Sequence, residues 1–164
     1  MKQNLQARIL VLSDLASRGE REDRSGPAVR EILESHGWQV TALEVLPDEF
    51  DQIRGCLEVW TGFEDCDAVF TSGGTGIGPR DVTPQATRAV IETEIPGLAE
   101  LMRAEGIKST PLAALSRAIV GVRNRKLIVN LPGSPRGARE SIESIIEVLP
   151  HAIDLIQGRT GHSE

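Results

Sequence analysis

Residues 67–84 read Asp67-Ala-Val-Phe70-Thr-Ser-Gly73-Gly-Thr-Gly-Ile-Gly-Pro-Arg80-Asp-Val-Thr-Pro84. The apolar run at the start has the length and composition of a buried strand. Glycines at 73, 74, 76 and 78 follow, and then Arg80 and Asp81. Thr83-Pro84 supplies a helix start, with Thr83 expected as N-cap and proline at the first helical position. Strand, glycine-rich turn and helix N-terminus together present backbone N–H groups to an anion. An aspartate closing such a loop suits phosphate poorly by itself. It makes sense if a divalent cation sits between carboxylate and phosphate. A glycine turn with no ligand is the plain structural reading of the same residues.

Two familiar phosphate motifs are excluded. Gly73 to Gly78 has Walker A spacing, but Pro79-Arg80 stands where Lys-Ser/Thr is required. Gly74, Gly76 and Gly78 fall at i, i+2 and i+4, whereas the dinucleotide fingerprint needs i, i+2 and i+5.

Strand and helix patterns alternate on both sides of this segment. Ala7–Ser13 and Trp38–Leu46 read as strands, separated by a charged, solvated loop (14–25) and a helix opened by Gly26-Pro27. That helix is expected to set Val29, Ile32, Leu33 and His36 on one face, with Gly37 as its stop. Pro47-Asp48-Glu49 opens the next helix, where Phe50, Ile53, Leu57 and Trp60 repeat at helical spacing. Residues 84–94 are expected to be helical, followed by a short helix after Pro96-Gly97 with Leu98, Leu101 and Met102 on one side. Residues 118–122 and 126–130 form a β-hairpin pattern across Arg123-Asn124-Arg125. Leu131-Pro-Gly-Ser134-Pro135 repeats the strand, loop and helix-start signal, and a last helix is expected over 151–157. The fold expected is a three-layer αβα domain with a mainly parallel sheet plus a β-hairpin, spanning 1–158 with a polar tail at 159–164. In such sheets ligands bind beyond the carboxyl ends of the strands, which gathers Ser13-Asp14, Pro47-Asp48, 72–81 and 130–134 at one edge.

Composition narrows the partners. A net charge of −6 and only two Trp, three Phe and no Tyr argue against a nucleic-acid surface. No apolar run approaches the roughly 20 residues of a bilayer span, and the N-terminus lacks a signal-peptide core, so a cytoplasmic protein is expected. Cys56 and Cys66 have no metal or redox spacing and are read as buried free thiols.

The ordered set of motifs resembles the Mog-type molybdopterin adenylyltransferase family of molybdenum-cofactor synthesis. Thr71–Gly76 with Arg80-Asp-Val-Thr-Pro84 looks like its signature loop, and Leu46-Pro-Asp-Glu49 like the segment supplying its second acid. Asp23-Arg-Ser-Gly-Pro27, Ile95-Pro-Gly97 through Arg103, Leu115-Ser-Arg117 and Asn130-Leu-Pro-Gly-Ser134 match further stretches in order. The resemblance implies Mg²⁺-dependent transfer of AMP from ATP to the phosphate of molybdopterin, with Asp48 and Asp81 as catalytic and metal-binding residues. It implies substrate contacts from Ser13, Ser72, Gly73, Gly74, Thr75, Gly76, Arg80, Ser116, Arg117, Asn130, Pro132, Gly133 and Ser134. A homotrimer or hexamer, with hand-over to the molybdenum-insertion protein, is also implied.

Each assignment has a plainer competitor. Asp48 stands where a helix cap is wanted, Asp81 can close the glycine turn, Ser134 can be only a cap, and Arg117 can pair with surplus acids. At the level of function, the competitors are a non-catalytic pterin-binding scaffold and a nucleotide pyrophosphatase of the competence-damage type.

Overall fold

The computed structural model describes residues 4–159. Strands and helices are numbered in chain order. β1 (Gln6–Leu12), β2 (Gln39–Leu46), β3 (Ala68–Ser72) and β6 (Lys126–Leu131) run parallel, and β5 (Val120–Arg123) and β4 (Thr93–Glu94) extend the sheet antiparallel. The six strands lie in the order β2-β1-β3-β6-β5-β4. Every residue of β3 is buried, which is why its sequence is apolar on both faces.

Alternate residues of β1 feed two cores. Ile9 and Val11 pack under α2 (Ser25–Ser35), α5 (Pro96–Ser109), α6 (Pro135–Ile145) and α7 (Leu149–Ile156). Leu10 and Leu12 pack under α3 (Phe50–Trp60) and α4 (Thr83–Val90). The three layers follow from this two-sided burial.

The hairpin of β5 and β6 turns at Asn124 (φ 49°) and Arg125 (φ 61°), the pair of left-handed residues that matches strand twist in a two-residue turn.

Several local expectations change. The stretch after β1 is not wholly loop, because Ser13 accepts a hydrogen bond from the Ala16 N–H and caps a short helix, α1 (Asp14–Ser17). α4 stops at Val90, and the residues beyond it form the edge strand β4, recruited by pairing with β5 rather than by any local strand signal. Thr83 is the first helical residue and not the cap; its hydroxyl instead donates to the Gly73 carbonyl at 2.9 Å. His36 is exposed at the end of α2, outside the buried face. α5 is longer than expected, and its Leu101 is partly solvent-facing. Of the expected polar tail only Arg159 lies within the described residues, where it pairs with Asp154.

Asn130 is a bolt in this core. Its amide donates to the hydroxyls of Thr71 and Thr87 at 3.0 and 2.9 Å, and its carbonyl oxygen accepts from the Ile119 N–H at 3.2 Å. It thereby joins β6 to β3, to α4 and to the chain entering β5. Asn130, Thr71 and Thr87 are all fully buried, so none has water as an alternative partner. Asn130→Ala is expected to destabilise the protein by about 2–4 kcal/mol in urea unfolding, the cost of orphaning several buried polar groups at once.

Candidate active site

The register Leu12↔Leu46, Val11↔Ser72 and Ser72↔Leu131 makes the four parallel strands stop nearly on one line. The loops that follow them meet there around a polar cavity of about 670 Å³. Ser13, Asp48, Ser72, Gly73, Gly74, Asp81, Gly133 and Ser134 line it, so most of the residues expected at the site converge.

Glycine is required in this crowding for definite reasons. Gly73 (φ 105°) and Gly74 (φ 67°) are left-handed. A Cβ on Gly73 would strike the Leu12 carbonyl oxygen, and one on Gly74 would strike the Thr83 hydroxyl and stand 3.0 Å from Asp48 Oδ1. Gly133 passes so close to Gly73 that its Cβ would lie 3.2 Å from the Gly73 Cα.

Asp48 does not cap α3. The cap position falls on Glu49, which makes no side-chain cap bond. Instead Asp48 Oδ2 accepts from the Asp14 N–H at 3.1 Å, and Asp14 Oδ1 accepts from the Asp48 N–H at 3.0 Å. This reciprocal pair fixes the Asp48 carboxylate and leaves Oδ1 buried with no partner among the described residues. Burial lifts the Asp48 carboxyl above the usual aspartate range, and the nearby Asp14 and Asp81 charges push the same way. The Arg80 guanidinium holds Asp14 below that range. Asp81 Oδ2 accepts from the Gly78 N–H at 2.8 Å, so it does close the glycine turn while it faces the cavity.

The arginines behave differently from expectation. Arg80 turns away from the glycine loop, donating to both Asp14 oxygens at 3.0 Å and to Glu49 at 2.8 Å. Arg117 pairs with no carboxylate; Nε donates to the Gly76 carbonyl at 2.6 Å and Nη2 to the Asp81 carbonyl at 2.7 Å. It braces the loop from beneath, and its own segment is held by Arg103, which donates to the Ser116 and Ala118 carbonyls.

Backbone donors sort in the same way. The Gly73 N–H is spent on the Leu131 carbonyl and that of Gly78 on Asp81. Those of Gly74, Thr75, Gly76, Gly133 and Ser134 have no acceptor among the described residues. The Ser72 hydroxyl donates to the Pro132 carbonyl, and Ser134 accepts from the Gly137 N–H as the α6 cap. Asn130 is a support beneath the site, its amide fully engaged in the core.

A second, apolar cavity of about 270 Å³ flanks the loop on its other side, lined by Thr75, Gly76, Met102, Leu115, Ser116, Pro132 and Ser134 among others. The sequence signals did not reveal it, nor the roles of Asp14, Thr83 and Arg103. Asp14 alone had a usable signal, its place directly after a strand. Cys66 is buried as expected, but Cys56 is only half-buried; burial disfavours both thiolates, pushing the Cys56 thiol up to about 12 and Cys66 up to about 11.

Residues 8–151 match the family model described as "Probable molybdopterin binding domain". A molybdopterin adenylyltransferase of Helicobacter pylori J99 is 41% identical over 158 residues, covering 95% of this chain and 90% of that protein. The crystal structure of the molybdopterin biosynthesis enzyme MoaB from Thermus thermophilus superposes with a TM-score of 0.89 at 51% identity, covering 94% of this chain and 97% of that one. The Mog protein of Mycobacterium ulcerans gives a TM-score of 0.87 at 37% identity, over 96% and 99% of the two chains. A family model matched over most of the chain's length, together with these relatives and this fold, means that the chain belongs to the molybdopterin-binding domain family of molybdenum-cofactor biosynthesis.

Proposed function

We propose that the protein is a molybdopterin adenylyltransferase: a phosphate oxygen of molybdopterin attacks the α-phosphorus of ATP, the α–β bridging bond breaks, and pyrophosphate leaves. The observation that carries this reading is the buried, unpartnered Oδ1 of Asp48 beside the glycine loop and Asp81. A lone carboxylate oxygen in that position, with a second carboxylate on the same cavity wall, is available as a ligand to a cation. That suits Mg²⁺, which is held by one or two carboxylates and completed by water and substrate phosphates. Asp48 and Asp81 would hold it, and when bound it would offset phosphate charge and stabilise the leaving pyrophosphate.

The chain's own groups do the rest. The nucleophile is already an anion, so no activated serine or cysteine is needed. The free N–H groups of Gly74, Thr75 and Gly76 are donors for phosphate oxygens, and the Arg117 brace keeps them aimed without reorganisation. Ser134 belongs to the rims of both cavities, so two phosphorylated heterocycles can approach the loop from opposite sides. In the same reading residues 1–158 act as one cytoplasmic domain, assembled as a homotrimer that passes its product to the molybdenum-insertion protein. Exposed Leu101, Ile107, Leu112 and Leu115 on and after α5 supply apolar surface for that assembly.

Asp48→Asn and Asp81→Asn are expected to lower pyrophosphate release from ATP, Mg²⁺ and molybdopterin by about two orders of magnitude or more. Wild-type turnover in both would remove the assignment. The scaffold alternative predicts no turnover from the wild-type protein itself.

Stability should move the other way for Asp48. A carboxyl whose folded pKa is raised opposes folding once it is ionised, so its cost is present at neutral pH and fades as pH falls toward the unfolded value. Asp48→Asn is therefore expected to raise Tm at pH 7, with the gain shrinking in acid.

A further inference from the structure

Arginine is the natural counter-charge for a triphosphate, yet the two arginines nearest the glycine loop are engaged elsewhere. Arg80 is committed to Asp14 and Glu49, and Arg117 to two loop carbonyls. The polar cavity has two other cationic side chains on its wall, Arg21 and Arg24. Both are exposed, and neither side chain makes an ion pair or hydrogen bond with any described residue. They belong to the charged segment between α1 and α2 that sequence reasoning assigns to solvent.

We infer that Arg21 and Arg24 form the cationic wall that receives the β- and γ-phosphates of the nucleotide and holds the departing pyrophosphate. The inference deepens the adenylyl-transfer reading and rests on it for the identity of the polyphosphate. Charge accounting supports it. The lining carries four carboxylates, Glu22, Asp23, Asp48 and Asp81, which repel a polyphosphate, and among the described residues on this wall the cationic side chains that oppose them are Arg21 and Arg24.

Asp23, between the two arginines, also lines the cavity, and its side chain is bonded to the start of α2 and not to either arginine. Its carboxylate takes the Ser25 and Gly26 N–H groups and the Ser25 hydroxyl at 2.9–3.2 Å. Those bonds also use up the first donors of α2, so the helix terminus itself is not the anion site. They anchor the segment, so that Arg21 and Arg24 project from a fixed base. Glu22 also lines the cavity, and it works against anion binding.

The test is calorimetric titration of inorganic pyrophosphate with Mg²⁺ into the wild-type protein and its Arg21→Ala, Arg24→Ala, double-alanine and Glu22→Gln variants, with circular dichroism as a check on folding. Each alanine variant is expected to weaken pyrophosphate by about tenfold and to raise the KM for ATP, with Arg→Lys variants intermediate because they lose the two-pronged donor. Glu22→Gln should tighten binding. Affinity within twofold of wild type in the double variant, or no pyrophosphate binding by the wild type, would overturn the wall. Weakened pyrophosphate binding in the arginine variants of a wild type that transfers no AMP to molybdopterin would keep the wall and remove the adenylyl-transfer reading.

Discussion

The common stopping line of four parallel strands governs everything at the site. Because β1, β2, β3 and β6 end in register, the loops leaving them must cross one another within a few ångströms. Gly73 passes against the Leu12 carbonyl, a contact that no side chain could enter, and Gly133 passes tightly against Gly73. Once the backbones are that close, their own N–H groups line the crevice. The glycine count in residues 73–78 thus answers a packing problem first. The supply of anion donors is a consequence of the same crowding.

Crowding also sets the electrostatics. Asp48 is held by the Asp14 N–H on one oxygen and left bare on the other, in a place where burial disfavours its charge. Such a group opposes folding while it is ionised, so its placement costs stability. The surrounding arginines divide the work of tolerating it. Arg80 ties Asp14, and through it Asp48, to the end of the glycine loop, while Arg117 stiffens the loop from below. Both are engaged within the fold, Arg80 and Arg117 each through Nε and Nη2.

Legibility in the sequence followed the range of the interaction. Strands, the alternation of helices and the hairpin were readable because each rests on residues within about ten positions of one another. The Ser134 cap was readable for the same reason, whereas Thr83 missed its expected role because the Gly73 carbonyl offered its hydroxyl a better partner. β4 escaped notice because only its pairing with β5 makes it a strand. The apolar cavity under α5 was equally invisible, since its lining comes from segments that share no local pattern.

Taken alone, the sequence determined the layer order, the strand-end convergence and the chemistry of the loop, because hydrophobic period and glycine placement are local properties. It also determined that carboxylates and glycines would share one edge. Tertiary structure decided which of those groups are still available. Arg80 meets Asp14 across 66 residues and Arg117 meets Gly76 across 41, and these bonds engage part of groups that look like ligands in the sequence. A polar group's capacity is finite, and only its distant neighbours settle whether it is already used. By that measure Asp48 Oδ1, the N–H groups of Gly74, Thr75, Gly76, Gly133 and Ser134, and the side chains of Arg21 and Arg24 are among the groups that the fold leaves open at this edge.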